Sequence, residues 1–304
     1  SVPESPGSAP AVASGEAELR ERLRGCAATR ALAEGVLEEQ HGGFSNRCWR
    51  LDAPGGSWFV RLGAADAAGL GVDRVSECAL LAAVSAAGLA PEVLACEPGA
   101  GLLVTRWVAG GPWRAGDLLE GDNLARIAAL LRRLHEQPVP DGVAFVNWSR
   151  QARRLASGLP MRSGEVPLHE RAADAFERLD RRSVAPVLCH HDLHHLNILD
   201  DGERLWLVDW EYGGGGDPLF DLAGFLAMHG LGPAATDAFL QAYGGLEPPG
   251  RALLDTARWA FDYVQWLWYR HRAPDGTGEA GARARRLAQR LLHCDNSTID
   301  QDDV

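Results

Sequence analysis

Residues 188–199 read Leu-Cys-His-His-Asp-Leu-His-His-Leu-Asn-Ile-Leu, and residues 205–212 read Leu-Trp-Leu-Val-Asp-Trp-Glu-Tyr. The first stretch holds the pattern H-x-D-x-x-x-x-N as His190, Asp192 and Asn197, and the second is an apolar strand signal that ends in Asp209. Phosphoryl transfer needs a carboxylate near the attacking hydroxyl and oxygen ligands for Mg²⁺. The spacing therefore predicts Asp192 beside the hydroxyl, with Asn197 and Asp209 as magnesium ligands.

The overall charge of the chain restricts its partners. The 304 residues carry a net charge of -11, and 46% of them are hydrophobic. An acidic surface repels phosphate backbones and anionic lipid, so the composition argues against binding to nucleic acid or to a membrane surface. An anionic substrate such as ATP would need local help from backbone N–H groups, an arginine and metal ions.

The sequence contains no lysine, so all 30 basic side chains are arginine. This excludes a P-loop of the form G-x-x-x-x-G-K-[ST] and a lysine Schiff base with pyridoxal phosphate. The basic side chain expected at the nucleotide phosphates is therefore an arginine in place of a lysine.

Six cysteines and the chain's start bear on location. The cysteines show no C-x-x-C spacing, and a disulfide framework is improbable in a chain of this length without an export signal. The first 14 residues lack the basic start and apolar segment of a signal peptide, and no apolar run is long enough to span a membrane. A reducing cytoplasm is the expected location.

Upstream of the quoted stretches, the sequence predicts a small lobe of strands with one long helix. Residues 1–16 are rich in Ser, Pro, Ala and Gly and are predicted to be a disordered tail. A helix follows around Leu19, and the turn residues Pro54-Gly55-Gly56 predict a hairpin. The predicted strands precede Gly42, cover 47–51 and 58–62, and lie near 93–94 and 102–104, with a helix at 72–87. Residues 17–108 are therefore predicted to form an N-terminal nucleotide-binding lobe.

Beyond Gly110-Gly111-Pro112 helical periodicity dominates, which predicts a hinge followed by a larger lobe at 109–294 for catalysis and acceptor binding. The predicted helices cover about 118–136, 170–179, 218–229, 234–243, 250–272 and 279–293. The polar residues 295–304 are predicted to be a second disordered tail.

The quoted stretches resemble the aminoglycoside phosphotransferase and choline kinase superfamily. The run from Asp209 through Asp217-Pro-Leu-Phe-Asp221 is similar to bacterial choline kinase and bacterial thiamine kinase. The resemblance covers roughly residues 36–272 and is densest at 187–224. It implies an α+β, bilobal, protein-kinase-like fold, with a small antiparallel sheet in the N-lobe and a mainly helical C-lobe. It also implies ATP and Mg²⁺ as cofactors, and a role for His190 in orienting the catalytic loop.

The resemblance implies further nucleotide contacts in the small lobe. Arg61 stands in the third strand, where protein kinases have lysine, and Glu77 would pair with it from the helix. A solvated helix face is the alternative for Glu77. The turn that would cover the phosphates contains Gly42, Gly43, Ser45 and Asn46.

Carboxylates and aromatic residues near the C-lobe site favour a small cationic alcohol as the acceptor. Glu211 follows the predicted metal ligand closely, and Trp266 and Tyr269 resemble the aromatic C-terminal helix of choline and thiamine kinases. Aromatic faces bind quaternary ammonium groups by cation–π contact. The alternative is that the aromatic residues of this helix fill the core.

Other interpretations remain at this stage. An aminoglycoside would also suit an acidic cleft, and the missing lysine allows an inactive kinase-like binding module. His191 and His195 are four residues apart, which suits a zinc pair on a helix. The sequence leaves the oligomeric state and the choice between ATP and GTP open.

Overall fold

The computed structural model describes residues 9–40, 46–63 and 72–293, with the backbone alone for residues 9–14. The chain divides into two compact units. The first unit is Ser1–Gly111 with Pro140–Gly142 and Leu199–Glu211, and the second is Pro112–Val139, Val143–Ile198 and Tyr212–Val304. The predicted boundary lay three residues earlier, at 108, and the prediction placed 199–211 with the larger lobe.

The first unit is built on an antiparallel sheet with strand order β1-β2-β3-β5-β4. Its helix α1 begins at Ala9, so the prediction of a disordered tail through residue 16 was wrong for residues 9–16. The elements are α1 (Ala9–Gly25), β1 (Val36–Gln40), β2 (Asn46–Ala53), β3 (Gly56–Gly63), α2 (Arg74–Ala86), β4 (Val93–Glu97) and β5 (Leu102–Arg106).

Alternating side chains bury one face of this sheet. Trp49 and Leu51 of β2 and Val60 of β3 form a core with Leu19 and Leu23 of α1, because residues two apart on a strand share a face. The predicted hairpin joins β2 to β3 through a turn in which Gly55 has a φ of 100°, a conformation that favours glycine.

Helix α2 is capped at its start and is joined to the sheet by a disulfide. The Asp73 carboxylate caps the helix by accepting hydrogen bonds from the backbone N–H groups of Val75 and Ser76. A disulfide joins Cys78 of α2 to Cys96 of β4, with 5.6 Å between their Cα atoms. This bond differs from the sequence-based view that disulfides are improbable in this chain.

The second unit is mainly helical. Its helices are α3 (Asn123–His135), α4 (Trp148–Ser157), α5 (Val166–Asp180), α6 (Pro218–Met228), α7 (Pro233–Tyr243), α8 (Pro248–Arg272) and α9 (Gly278–His293). All except α4 were predicted to within a few residues. Helix α4 was missed although Asn147 caps it, its side chain accepting a hydrogen bond from the Arg150 backbone N–H.

Short strands support the residues of the quoted stretches. They are β6 (Gly111–Pro112), β7 (Val187–Cys189), β8 (Ile198–Asp200), β9 (Leu205–Leu207) and β10 (Gly214–Gly216). Strands β7 and β10 pair antiparallel. A Cβ atom at Gly215 would lie 2.8 Å from the Phe145 ring, and one at Gly216 would lie 2.9 Å from the His191 ring. The glycine run is therefore a buried strand whose close packing needs residues without side chains. None of the helices within the described ranges is long and apolar enough to cross a membrane.

Candidate active site

In the second unit, the backbone that follows β7 is held by one buried carboxylate. Asp221, in the first turn of α6, accepts hydrogen bonds from the backbone N–H groups of His190 at 2.7 Å and His191 at 2.6 Å. The His135 ring lies 3.1 Å from the same carboxylate and 2.8 Å from the Tyr243 hydroxyl. Burial alone would raise the pKa of Asp221, but the hydrogen bond from His135, the nearby His191 ring and the backbone donors hold it well below its usual range.

This anchored loop brings together three of the predicted residues, His190, Asp192 and Asn197. The Asn197 side-chain amide donates to the Asp192 backbone carbonyl at 2.8 Å and approaches the Asp192 carboxylate at 3.4 Å. The Asp192 backbone N–H donates to His190 Nδ1 at 3.3 Å. His190 is fully buried, whereas part of the Asp192 carboxylate is exposed. The loop thus presents one carboxylate while its neighbours fix the backbone.

His194 adds a neutral ring beside this carboxylate. Its Nε2 atom lies 3.7 Å from Asp192 Oδ2. Burial and the neighbouring His190 and His195 rings lower the pKa of His194 to about 4. At neutral pH this ring therefore brings no positive charge to Asp192.

In the first unit, the predicted arginine–glutamate pair is formed. Arg61 of β3 donates to Glu77 of α2 at 2.8 Å, and both side chains are almost fully buried. Glu77 therefore does not lie on a solvated helix face. A second guanidinium nitrogen of Arg61 lies 3.5 Å from the Asp209 carboxylate. Sheet register places Arg61 between Cys48 of β2 and Leu103 of β5.

Asp209 is the most accessible carboxylate of this group. Its side chain is 41% exposed, and its backbone is left-handed, with a φ of 62°. Few residues other than glycine adopt this conformation, and such positions cluster at functional sites. The surrounding protein and the nearby Glu211 charge raise the pKa of Asp209 to about 7, against the opposing effect of Arg61. A divalent cation beside this carboxylate would favour its ionised form.

Arg74, which was not among the predicted site residues, connects three polar side chains of the first unit. Its guanidinium donates to the Glu77 carboxylate at 2.7 Å, to the side-chain oxygen of Asn46 at 3.0 Å and to the Glu211 carboxylate at 3.3 Å. The Asn46 amide in turn donates to Glu211 at 3.0 Å. The spacing of Arg74 and Glu77, three residues apart on one helix, was a signal for this contact.

The predicted role of Glu211 is revised by its contacts, and part of the predicted phosphate-covering turn is not described. Glu211, predicted to bind the acceptor, is buried and paired with Arg74 and Asn46, so its charge is already compensated within the first unit. Three residues of the predicted phosphate-covering turn lie outside the described residues and stay predictions: Gly42, Gly43 and Ser45.

Trp266, predicted to contact the acceptor, lies instead in the core of the second unit. Its side chain is 2% exposed and packs against Tyr263 and His169, with ring centroids 5.6 and 5.7 Å away. The Arg270 guanidinium lies 5.2 Å from the Trp266 ring centroid. The core-filling alternative therefore fits Trp266.

Tyr269 belongs to a half-buried cluster that we call the aromatic group, made of Tyr212, Trp268 and Tyr269. The Trp268 indole N–H donates to the Tyr212 hydroxyl at 3.1 Å, and the Tyr269 ring lies edge-on to Trp268 at 5.1 Å. Guanidinium groups lie on two of these rings, Arg272 on Trp268 and Arg283 on Tyr269. The aromatic group therefore offers faces that already attract cations.

The zinc interpretation of the histidine cluster gains no support. Within the described ranges, the one set of potential ligand atoms close enough to hold a metal is His135, Cys189 and Asp221, and not His191 with His195. His135 and Asp221 are already hydrogen-bonded to each other. Burial raises the pKa of the Cys189 thiol well above its ordinary value.

Comparison with known proteins identifies the family. Residues 36–260 match the phosphotransferase enzyme family known as APH. The chain belongs to this family. The match covers about three-quarters of the sequence and includes β1 through most of α8. The predicted membership in this phosphotransferase family is confirmed.

Two curated relatives share parts of this sequence. A protein described as a LicA homolog from Metamycoplasma hominis is 40% identical over 147 residues, which cover 47% of this chain and 56% of that protein. The LicA protein of Haemophilus influenzae is 44% identical over 68 residues, which cover 22% of this chain and 25% of that protein. The chain thus spans between a quarter and about half of the length of these relatives.

Solved structures confirm the kinase-like fold class. A choline/ethanolamine kinase family protein from Mesorhizobium loti is 24% identical, with a TM-score of 0.75 and coverage of 92% of this chain and 93% of that one. Choline kinase LicA from Streptococcus pneumoniae is 19% identical, with a TM-score of 0.76 and coverage of 92% and 99%. A thermostable mutant of aminoglycoside phosphotransferase APH(4)-Ia is 19% identical, with a TM-score of 0.63 and coverage of 86% and 96%.

Proposed function

We propose that this enzyme transfers the γ-phosphoryl group of ATP to the hydroxyl of a small cationic alcohol, such as choline or thiamine. The observation that carries the proposal is the loop in which Asp192 is partly exposed while Asp221 and Asn197 fix its backbone. A carboxylate held in this way can orient a hydroxyl and accept its proton late in the transfer. The sequence matches to LicA proteins, together with the structural likeness to a LicA named as a choline kinase, favour choline within this class.

The nucleotide would be held by charges of the first unit. Arg61, oriented by Glu77, supplies positive charge for the phosphates, which a chain without lysine must take from arginine. Asp209 has an accessible carboxylate and suits a hard cation, and Asn197 is the second predicted ligand. Bound magnesium would neutralise charge on the phosphates. Since ATP is the proposed donor, we also propose that the enzyme works in the cytoplasm.

The acceptor would be recognised by the aromatic group of the second unit. Tyr269 remains from the sequence-based prediction, and Tyr212 and Trp268 join it in place of the buried Trp266. Arginine side chains already pack on two of these rings. An acceptor with a quaternary or protonated nitrogen matches such faces better than a neutral alcohol does.

The acceptor class is tested by ADP release from Mg-ATP with the purified chain. Choline, ethanolamine, thiamine and hygromycin B are compared at equal concentration, with a neutral alcohol of similar size as the control. We expect strong stimulation by one of the small cations and none by the neutral alcohol. Stimulation by hygromycin B alone would assign the enzyme to aminoglycosides. ATP binding without stimulation by any compound would favour an inactive binding module.

A further inference from the structure

The first unit contains a mostly buried guanidinium group, that of Arg74, to which neither the sequence pattern nor the family match assigns a role. Arg74 stands at the first position of α2 and donates to side chains from three parts of the chain: Glu77 of α2, Asn46 of β2 and Glu211 after β9. We propose that Arg74 is a positioning residue for nucleotide binding. It would fix Glu77, and through it Arg61, in register with the segment that carries Asp209.

The geometry favours a positioning role over a surface ion pair. The Arg74 side chain is mostly buried, and its planar fork reaches two carboxylates and one amide together. The absence of a side chain at Gly63 makes room for it, since a Cβ atom there would lie 3.2 Å from the Arg74 guanidinium. Exposed pairs contribute little to stability, but buried charge-assisted contacts with several partners fix a geometry.

The charge of Arg74 also matters for nucleotide binding, because it compensates carboxylates near Arg61. Three carboxylates, of Glu77, Asp209 and Glu211, are linked to two guanidinium groups, of Arg61 and Arg74. Without Arg74, Arg61 alone would face all three carboxylates. Glu77 and Glu211 would then compete with the nucleotide phosphates for Arg61, and the added negative charge would repel ATP.

The test, which rests on the proposed function, compares Arg74→Met with Arg74→Lys and the wild type. We expect Arg74→Met to raise the KM for Mg-ATP about tenfold or more while kcat changes by less than about threefold. Arg74→Lys keeps the positive charge but loses the planar guanidinium that contacts several acceptors at once, so its KM should lie between those of the wild type and Arg74→Met. Arg24→Met is the matched control, because Arg24 pairs with Glu34 at an exposed position of the same unit.

A double variant separates positioning from a loss of folding. If Arg74 acts by compensating Glu211, then Arg74→Met combined with Glu211→Gln should have a lower KM for Mg-ATP than Arg74→Met alone. An unchanged KM for Mg-ATP in Arg74→Met would overturn the proposal. So would a variant in which kcat, affinity for Mg-ATP and thermal stability all fall to a similar extent and Glu211→Gln gives no relief. Either result would leave the phosphotransferase activity of the wild type in place. If the wild type neither binds ATP nor transfers phosphate, the proposed function fails first and this inference fails with it.

Discussion

The charged groups of the two units are held by different kinds of interaction. In the second unit, Asp221 is fixed by backbone N–H groups and a histidine, and the partly exposed Asp192 stands in the loop so formed. In the first unit, Arg61 and Arg74 hold three carboxylates through contacts between side chains. A backbone-anchored loop has one geometry, whereas long paired side chains can exchange partners when a charged ligand arrives. We therefore expect substitutions in the second unit to affect chemistry and folding, and those in the first to affect nucleotide affinity.

The largest effect should come from removing the carboxylate of the anchored loop. Asp192→Asn keeps the shape and the contact with Asn197 but cannot accept a proton, so kcat should fall about 1,000-fold with ATP binding retained. Asp237→Asn, at an exposed partner of Arg251, is the matched control and should keep full activity. Initial rates and nucleotide titration measure both, and an active Asp192→Asn variant would contradict the assignment.

The anchor itself should matter for stability. Asp221→Asn leaves a backbone N–H group of the loop facing an amide donor inside the protein, so the free energy of unfolding should fall by about 3 kcal/mol or more. Urea unfolding followed by circular dichroism measures the change. Asp237→Asn should stay within about 0.5 kcal/mol of the wild type. An equally small change in Asp221→Asn would show that the loop does not depend on this carboxylate.

The disulfide of the first unit should contribute a similar but smaller amount. Cys78 and Cys96 are 18 residues apart in sequence, and closing a loop of that length is worth about 3 kcal/mol on the chain-entropy estimate. Thermal unfolding of the wild type should therefore shift down in the presence of a reductant. The double variant Cys78→Ser, Cys96→Ser should show no such shift, whereas Cys26→Ser should behave like the wild type. A reductant-insensitive wild type would argue against the bond.

The smallest effect is a dependence of stability on pH in the second unit. Burial and neighbouring rings lower the pKa values of His194 and His229 to about 4, below the ordinary value of 6.5. The unfolded chain then binds protons that the folded chain does not, so stability should be full above pH 6.5 and fall as the pH drops toward 4. Urea midpoints between pH 7.5 and 4.5 measure this slope. His229→Gln should flatten it, and an unchanged slope would assign the acid sensitivity to other groups.

Helices and turns were predicted well where local features of the sequence, such as turn residues and helical periodicity, determine the structure. The hairpin turn at Gly55 and the helices α3 and α5 through α9 were predicted from turn residues and helical periodicity. Helix α1 was missed in part because Pro10, Ser14 and Gly15 are typical of a loop, although Leu19 and Leu23 pack against the sheet. Strand β10 was missed because glycine runs usually indicate loops. Close contacts with residues distant in sequence, such as Phe145 and His191, are what require glycine in this strand.

The kinds of residue at the candidate site were predicted from the sequence, but not all of their contacts were. The pairing of Arg61 with Glu77 was implied by the resemblance, and the structure contains it. The partner of Glu211 is 137 residues away, so no local pattern could show that Arg74 compensates its charge. Trp266 was chosen from its resemblance to the aromatic C-terminal helix of choline and thiamine kinases, and such a resemblance cannot tell whether the side chain meets a ligand or fills the core.

The central claim is most directly tested by following the phosphorus atoms themselves. ³¹P NMR of the purified enzyme with Mg-ATP and choline should show the γ-phosphate signal replaced by that of a phosphate monoester, in step with the formation of ADP. The Asp192→Asn variant should give no monoester in the same time. Conversion of ATP to ADP and inorganic phosphate alone, or a monoester formed equally well by Asp192→Asn, would contradict the account.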